Sequence, residues 1–221
     1  GELRSYSDIP DLGPCDEATT RELIHGYYAC VSYTDAQVGK LLAELDRLNL
    51  RKDTIVIVWG DHGWKLGEYS QWSKHTNFEL DTRVPMIISD PDQPQGKRVN
   101  ALTEFVDIYP TLSELCGLPL PQGLEGTSMV PLLENPKKKW KKAAFSQYPR
   151  PKNIMGYSMR TDQYRYTEWQ DQKTGEAKYT ELYDLKNDPL CKESIVFKPE
   201  NKDLVAKLHK MMKAGWQSAK P

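Results

Sequence analysis

The sequence predicts an α/β fold with a small α+β unit appended to it, and three features carry that prediction. The almost entirely β-branched run at 54–59 is typical of a strand buried on both faces of a parallel sheet. A long amphipathic pattern and a short turn precede this strand, and the three together make half of a βαβ repeat. After Pro136 the chain changes to short aromatic-rich segments separated by turns, which favours an antiparallel sheet.

The change in sequence pattern after Pro136 also suggests the domain organisation. We predict an α/β domain over residues 1–140 and a small α+β subdomain over residues 141–221. The α/β domain begins with a helix over about residues 16–48, whose apolar residues recur every three or four positions. Asp16 can cap this helix. We expect the apolar helix face to cover the sheet.

The remaining elements follow in order. A strand at 84–88 begins near Pro85, where a missing N–H is tolerated, and a short strand is possible at 99–102. A helix from about 107 ends at Gly117, and a short helical turn follows at 130–133. The subdomain then contributes four antiparallel strands and a final amphipathic helix, which lie at 143–148, 154–160, 164–169, 177–184 and 204–216.

Composition narrows the range of partners. The chain has 30 basic and 31 acidic residues, so its net charge of -1 predicts neither a nucleic-acid nor a membrane partner. No apolar run is long enough to span a bilayer. We interpret the basic run at 137–142 as solvated surface, with a polyanion contact as the lesser alternative. The sequence lacks any Asn-x-Ser/Thr sequon, which favours a periplasmic or secreted bacterial protein over a lysosomal one.

The four cysteines show no spacing that indicates zinc. Cys30 and Cys116 fall on apolar helix faces, and we expect both to be packed thiols. A disulfide between Cys15 and Cys191 remains open from the sequence alone.

The residues with the clearest chemistry follow the strand at 54–59. Asp61 and His62 stand side by side between two glycines, and ligands of open α/β sheets bind just beyond the carboxyl ends of strands. Lys74 lies in the irregular segment that follows, where it could bind an anion. A hard cation beside an ammonium group would stabilise the negative charge of a tetrahedral oxyanion ester.

These residues belong to a pattern that resembles the type I sulfatases of the alkaline-phosphatase-like superfamily. The motif Gly60-Asp61-His62-Gly63-Trp64 opens it. The later residues that match the family are 66–68, Trp72, Lys74, Phe78, 83–85, 107–112, 116–118, 124–128, 131–133, 181–185 and 188–189. Within the family, residues 146–151 and 155–166 are most similar to the iduronate-2-sulfatase branch. The resemblance implies that residues 1–140 are the C-terminal portion of the catalytic domain.

The resemblance also implies site residues. Asp61 and His62 would be ligands of an active-site Ca²⁺, and Lys74 would contact the sulfate as a catalytic residue. Trp64 would form a wall for the sugar ring. Histidine is an unusual ligand for an oxygen-preferring cation, so Asp61 is the stronger of the two ligand assignments.

Three basic residues of the subdomain are candidates for a uronate carboxylate. These substrate-binding candidates are Arg150, Lys152 and Arg160, and arginine suits bidentate pairing with a carboxylate. A strand-surface role is the alternative for Arg160. Together with the motif, they imply a sulfatase that removes a 2-O-sulfate from a uronic acid of a sulfated glycosaminoglycan or a related polysaccharide.

One family feature is absent from this sequence. The family's nucleophile is a formylglycine made from the cysteine of a Cys-x-Pro-Ser-Arg type motif, and no cysteine here has that context. We therefore expect the nucleophile in an N-terminal part of the same enzyme. We also expect this chain alone to be inactive and to expose an apolar sheet flank. The alternatives are a metal-dependent phosphodiesterase or phosphatase of the same superfamily, and a non-catalytic sugar-binding fragment.

Overall fold

The computed structural model describes residues 2–6, 9–10, 12–93 and 96–221. The chain divides into two compact units, of which the first comprises Gly1–Thr76 and Leu80–Pro94 and the second comprises Asn77–Glu79 and Gln95–Pro221. The division that the sequence suggests, at residue 140, stays a prediction. None of the helices in the described part of the chain has the length and apolar character needed to cross a bilayer.

The first unit begins with helix α1 (Glu17–Arg47), which confirms the predicted helix. Asp16 caps it, because its side chain accepts a hydrogen bond of 2.7 Å from the backbone N–H of Thr19. No residue of α1 is buried, and Cys30 is exposed on it. The expectation of a packed face and a packed thiol is wrong for this chain, because a periodic apolar stripe specifies a face but not the segment that covers it.

The first unit continues with five short elements: β1 (Val56–Trp59), β2 (Lys65–Leu66), β3 (Trp72–Ser73), α2 (Glu79–Thr82) and β4 (Met86–Ser89). Of these, α2 spans the point where the chain passes between the units. β2 pairs with β3, and β1 pairs with β4, in two separate antiparallel sheets.

The pairing of β1 corrects the prediction of a buried parallel strand. β1 runs antiparallel to β4, and two of its residues, Val58 and Trp59, are 39% and 45% exposed. An apolar run reports a tendency to be buried but not the direction of the neighbouring strand. Parallel neighbours need a crossover, usually a helix, whereas the segment between β1 and β4 contains only short elements.

The second unit contains two helices, four strands and a last helix: α3 (Ile108–Leu115), α4 (Val130–Glu134), β5 (Ala144–Arg150), β6 (Ile154–Arg160), β7 (Tyr164–Asp171), β8 (Ala177–Asp184) and α5 (Lys202–Ala214). The strands form one antiparallel sheet in the order β5-β6-β7-β8, which confirms the predicted meander. The possible strand at 99–102 does not form. Cys116, which caps the end of α3, is exposed rather than packed, and none of the four cysteines forms a disulfide.

The core of the second unit lies between its sheet and α5. Met159, Tyr166 and Leu182 come from three neighbouring strands and pack with Leu208 of α5. All four side chains are at most 4% exposed. The sheet and the last helix therefore support each other, as the amphipathic pattern at 204–216 predicts.

A buried ionic cluster lies outside this core in the same unit. The ammonium of Lys141 lies 2.7 Å from a carboxylate oxygen of Glu104 and 2.7 Å from one of Asp107. Lys141 is 7% exposed, whereas its neighbours Lys139 and Lys142 are exposed. The interpretation of the basic run as solvated surface is therefore wrong for Lys141 because two carboxylates balance its buried charge.

Candidate active site

The predicted metal ligands lie in a sharp turn directly after β1. Gly63 makes the turn possible, since a Cβ atom built on it would lie 1.8 Å from the carbonyl oxygen of Leu80. The backbone N–H of Gly63 donates a 2.8 Å hydrogen bond to the carbonyl of Asp81. The turn is therefore fixed against the backbone at 80–81 at a distance that only glycine permits.

The side chains of Asp61 and His62 face each other. His62 Nδ1 lies 2.9 Å from the carbonyl oxygen of Gly63, and because that oxygen can only accept, Nδ1 carries the proton. In the neutral imidazole Nε2 then presents a lone pair, and it lies 3.3 Å from Asp61 Oδ2, which is also an acceptor. A cation between the two acceptors, or a second proton on the imidazole, would satisfy both. The lone pairs of His62 Nε2 and Asp61 Oδ2 are therefore suited to bind a divalent metal ion together.

Trp64 brings the predicted sulfate ligand to the same place. The Lys74 ammonium lies 5.0 Å from the centroid of the Trp64 ring, within the range of a cation–π interaction. The His62 ring stacks with Trp64 at 6.1 Å, and Tyr27 of α1 stacks with it at 6.2 Å. His62 and Lys74 thus both contact the indole ring of Trp64, and Asp61 joins the group through its contact with His62.

The loop that carries Lys74 has an unusual backbone. Tyr69, Ser73 and His75 adopt positive φ angles of 59°, 69° and 83°, which residues with a Cβ rarely adopt. Each such residue costs of the order of 1 kcal/mol or more, and such conformations cluster at functional sites. Unusual backbone conformations therefore stand directly before and after Lys74, at Ser73 and His75.

The sequence interpretation missed the residues that anchor this loop. Lys65 is fully buried, and its ammonium lies 2.7 Å and 2.5 Å from the two carboxylate oxygens of Asp81. Thr76, two positions after Lys74, donates a hydrogen bond to the same carboxylate. The position of Lys65 between the apolar residues Trp64 and Leu66 could have indicated a buried lysine. Its partner Asp81 could not be identified, because it lies 16 residues further along the chain.

Arg150 of β5 lies between two aromatic rings of the second unit. Its guanidinium carbon is 5.1 Å from the Tyr148 ring and 5.0 Å from the Trp169 ring. Burial raises the pKa of Glu181 on β8, while a hydrogen bond with Trp169 and the charge of Arg150 oppose that rise. The flat guanidinium is therefore held in a defined plane, which suits recognition of a planar carboxylate. Lys152 is exposed in the β5–β6 turn.

Arg160 lies at the other end of β6 and has a partner inside the protein. Its Nε lies 3.4 Å from Glu79 Oε1, and Arg165 Nη2 lies 2.6 Å from Glu79 Oε2. Arg165 is buried and Arg160 is half-buried. The ion pair with Glu79 favours a structural role for Arg160 on its strand. The assignment of Arg160 to the substrate stays a prediction.

Asn77 is a second residue that the sequence interpretation missed. Its amide nitrogen donates a hydrogen bond of 2.9 Å to the Gly156 carbonyl, and its amide oxygen accepts a hydrogen bond of 3.0 Å from the Ser146 hydroxyl. The side chain is 4% exposed. Within the second unit, Asn77 is therefore held against the β5–β6 pair by satisfied buried hydrogen bonds.

The predicted residues thus fall into two groups, one in each unit. In the first unit lie Asp61, His62, Trp64 and Lys74. In the second, Arg150 and Arg160 lie on β5 and β6, and Lys152 lies in the turn between these strands. Within the described part of the chain, no three His, Cys, Asp or Glu side chains converge to hold a metal ion.

Comparison with known families identifies the family of this chain. The family model described as "Sulfatase" matches residues 9–118, and the model described as "N-sulphoglucosamine sulphohydrolase, C-terminal" matches residues 67–217. The chain belongs to the sulfatase family. It is 32% identical to the iduronate 2-sulfatase of Mus musculus over 86% of this chain and 48% of that protein. The sulfatase chain spans between 30% and 48% of the length of the curated relatives that it matches.

Solved structures give the same fold. The sulfatase chain matches a protein solved in complex with its substrate D-glucosamine-2-N,6-O-disulfate, with a TM-score of 0.76 and 27% identity over 83% of this chain and 38% of that one. It also matches the phosphonate monoester hydrolase of Silicibacter pomeroyi, with a TM-score of 0.84 and 23% identity over 98% of this chain and 46% of that one. The second likeness shows the fold alone. The fold is alkaline-phosphatase-like.

Proposed function

We propose that this chain supplies part of the active site of a sulfuric ester hydrolase that acts on a sulfated saccharide. The observation that supports the proposal best is that His62 and Lys74 both contact the Trp64 ring while Asp61 faces His62. It pairs two candidate metal ligands with an ammonium group, as binding and cleavage of a sulfate ester require. The finer proposal is that the enzyme removes a 2-O-sulfate from a uronic acid of a glycosaminoglycan or a related polysaccharide.

Asp61 and His62 would hold the Ca²⁺ ion. Asp61 supplies a hard carboxylate oxygen, and its other oxygen accepts a 3.0 Å hydrogen bond from the backbone N–H of His62, which orients the carboxylate. His62 is oriented in turn by its hydrogen bond to the Gly63 carbonyl. When bound, the ion would polarise the non-bridging oxygens of the sulfate.

Lys74 would neutralise the negative charge that develops on the sulfate and on the leaving oxygen. Its ammonium already lies against the Trp64 ring, beside the candidate metal ligands, so the charge would need little reorganisation during the reaction. Trp64 would form the wall for the sugar ring. Arg150, held between two aromatic rings, is the best supported ligand for the uronate carboxylate, with Lys152 and Arg160 as further candidates.

The N-terminal part of the same enzyme would be the partner of this chain. It would supply the formylglycine nucleophile. Its place is suggested by the exposed apolar residues of the first unit, among them Tyr28, Leu41, Trp59 and Ile87, which are 62%, 69%, 45% and 62% exposed. We place the enzyme in the periplasm or outside a bacterial cell, since the sequence has no glycosylation sequon.

The test is steady-state kinetics on an enzyme that contains this chain together with the N-terminal part. We expect turnover of a 2-O-sulfated uronate disaccharide and of an aryl sulfate, dependence on Ca²⁺, and little turnover of an aryl phosphate. Turnover of the aryl phosphate alone would favour the phosphatase alternative. Turnover of only a 6-O-sulfated glucosamine would refute the uronate specificity but not the sulfatase assignment. Absence of all turnover would favour the non-catalytic sugar-binding fragment.

A further inference from the structure

A basic surface forms in the second unit from two segments that are far apart in sequence. Lys137, Lys138, Lys139 and Lys142 are exposed in the first segment, and Lys220 is half-buried in the second. We call these five residues the basic surface. Neither residues 135–142 nor residues 213–221 include an acidic side chain, so the positive charge is locally unbalanced in a chain of net charge -1.

The two segments are joined by the fold. The backbone N–H of Lys142 donates a 2.9 Å hydrogen bond to the carbonyl of Ala219. Ala143, which follows Lys142, and Ala219, which precedes Lys220, are both 1% exposed and pack in the same core. An open cavity of about 560 Å³ is lined by Lys138, Trp140 and Pro221 together with residues of α3 and the following loop. The lysines next to these buried residues therefore share one surface.

The lysines are presented by a fixed backbone rather than by a mobile tail. Lys137 and Lys138 donate backbone hydrogen bonds of 3.1 Å and 3.0 Å to Asn135, to its side chain and its carbonyl respectively. Trp140 and Lys141 are 8% and 7% exposed and anchor the middle of the segment. A charge pattern held in this way loses little conformational entropy when a ligand binds.

The second segment adds an aromatic ring to the charge. The Lys220 ammonium lies 4.6 Å from the centroid of the Trp216 ring. Four acidic side chains accompany these segments. Glu104 and Asp107 pair with the buried Lys141, Glu134 is exposed at the end of α4, and Glu114 lines the cavity with Lys138. Six lysines of the two segments, at 137–139, 141, 142 and 220, outnumber these four carboxylates.

We propose that the basic surface binds the chain of a sulfated polysaccharide and so holds the polymeric substrate on the enzyme. This inference rests on the proposed function for the identity of the polyanion, because a sulfatase of polysaccharides meets sulfated polymer as its substrate. A second contact along the same polymer raises the effective concentration of sulfate esters at the active site. The interaction is electrostatic and should weaken steeply with added salt.

The test compares two variants of the intact enzyme that lose the same charge. The first carries Lys137→Gln, Lys138→Gln, Lys139→Gln and Lys142→Gln. The control carries the same change at four exposed lysines elsewhere in the second unit, namely Lys173, Lys186, Lys192 and Lys207. Heparin is the binding probe, in about 0.1 M NaCl, where surface charges still interact over about 10 Å.

We expect the first variant to bind heparin about tenfold or more weakly and with a shallower salt dependence, because four cationic contacts are lost. The control should change less than about twofold. The first variant should keep the kcat/KM of the wild type on a small aryl sulfate, while its KM for a polymeric sulfated substrate rises.

Each other outcome has a definite meaning. Equal heparin affinity of the two variants would overturn the basic surface as a binding site. Equally tight, lysine-dependent binding of desulfated heparin or of double-stranded DNA would overturn the assignment to a sulfated polysaccharide. If the wild type turned over no sulfate ester, the proposed function would fail, and the heparin comparison would still test whether the basic surface binds.

Discussion

The buried ammonium of Lys65 lies 2.5 Å from a carboxylate oxygen of Asp81, and neither side chain is more than 3% exposed. The pair joins β2 to α2. The backbone carbonyl of the same Asp81 also accepts the hydrogen bond from Gly63 that fixes the turn after β1. One residue thus supports both the candidate metal ligands and the loop of Lys74. The cluster around Trp64 therefore depends on a buried charge pair that takes no part in the proposed chemistry.

The first prediction is that Lys65→Met destabilises the protein by about 3–5 kcal/mol, because Asp81 would be left as a buried carboxylate without its cation. Urea unfolding measures the effect. Arg21→Met is the control, since its pair with Glu17 is equally short but both side chains are 78% exposed, and it should change stability little. The double variant Lys65→Met/Asp81→Leu should recover part of the loss. Equal unfolding midpoints for Lys65→Met and Arg21→Met would contradict the prediction.

The second prediction concerns two glycines with opposite expected effects. Gly63→Ala should cost about 3 kcal/mol or more, because the new Cβ would collide with the Leu80 carbonyl and the backbone would have to move. Gly39→Ala in α1 should stabilise the protein by about 1 kcal/mol, since nothing lies within 4 Å of its Cβ position and alanine favours a helix. Both are measured by urea unfolding. A destabilised Gly39→Ala or an unaffected Gly63→Ala would show that the local packing is wrong.

The third prediction is that Lys74→Ala in the intact enzyme lowers kcat for an aryl sulfate by about 100- to 1000-fold, or about 3–4 kcal/mol. The lysine would act on charge that develops in the transition state. Unfolding should change little, because Lys74 belongs to a loop. Asp61→Asn should lower kcat similarly and also weaken Ca²⁺ binding, which calorimetry can detect without turnover. A Lys74→Ala enzyme with wild-type kcat would assign the residue a structural role.

The fourth prediction concerns the thiol of Cys191. Burial raises the pKa of Cys191 from 9.0 to about 11. At pH 8, iodoacetamide should therefore alkylate it more slowly than the exposed Cys30 and Cys116, as followed by mass spectrometry.

The same shift predicts a dependence of stability on pH. Since the folded state keeps the proton of Cys191 more tightly, its contribution is fully present below pH 9 and is lost as the pH rises towards about 11. Cys191→Ala should lose less stability than the wild type between pH 9 and pH 11. An identical pH dependence for the two proteins would refute the assignment.

Short-range patterns made part of this structure predictable. The cap at Asp16 involves Thr19, three residues away, and the meander consists of strands joined by tight turns. The cluster of Asp61, His62, Trp64 and Lys74 is also local in sequence, and its residues could be named because motif spacing alone places them in one loop region. Interactions over such distances depend little on the rest of the chain.

The sequence by itself determined the longer helices and strands, the apolar faces that they carry, and the residues that belong to the sulfatase motif. Only the tertiary structure decided the antiparallel pairing of β1, the partner of Lys65, the ion pair of Arg160 with Glu79, and the burial of Lys141 among exposed lysines. The place of a side chain in the apolar pattern of its helix or strand indicates whether it can be buried. Whether it is buried, and against what charge, depends on segments distant in sequence, and these meet only when the chain folds.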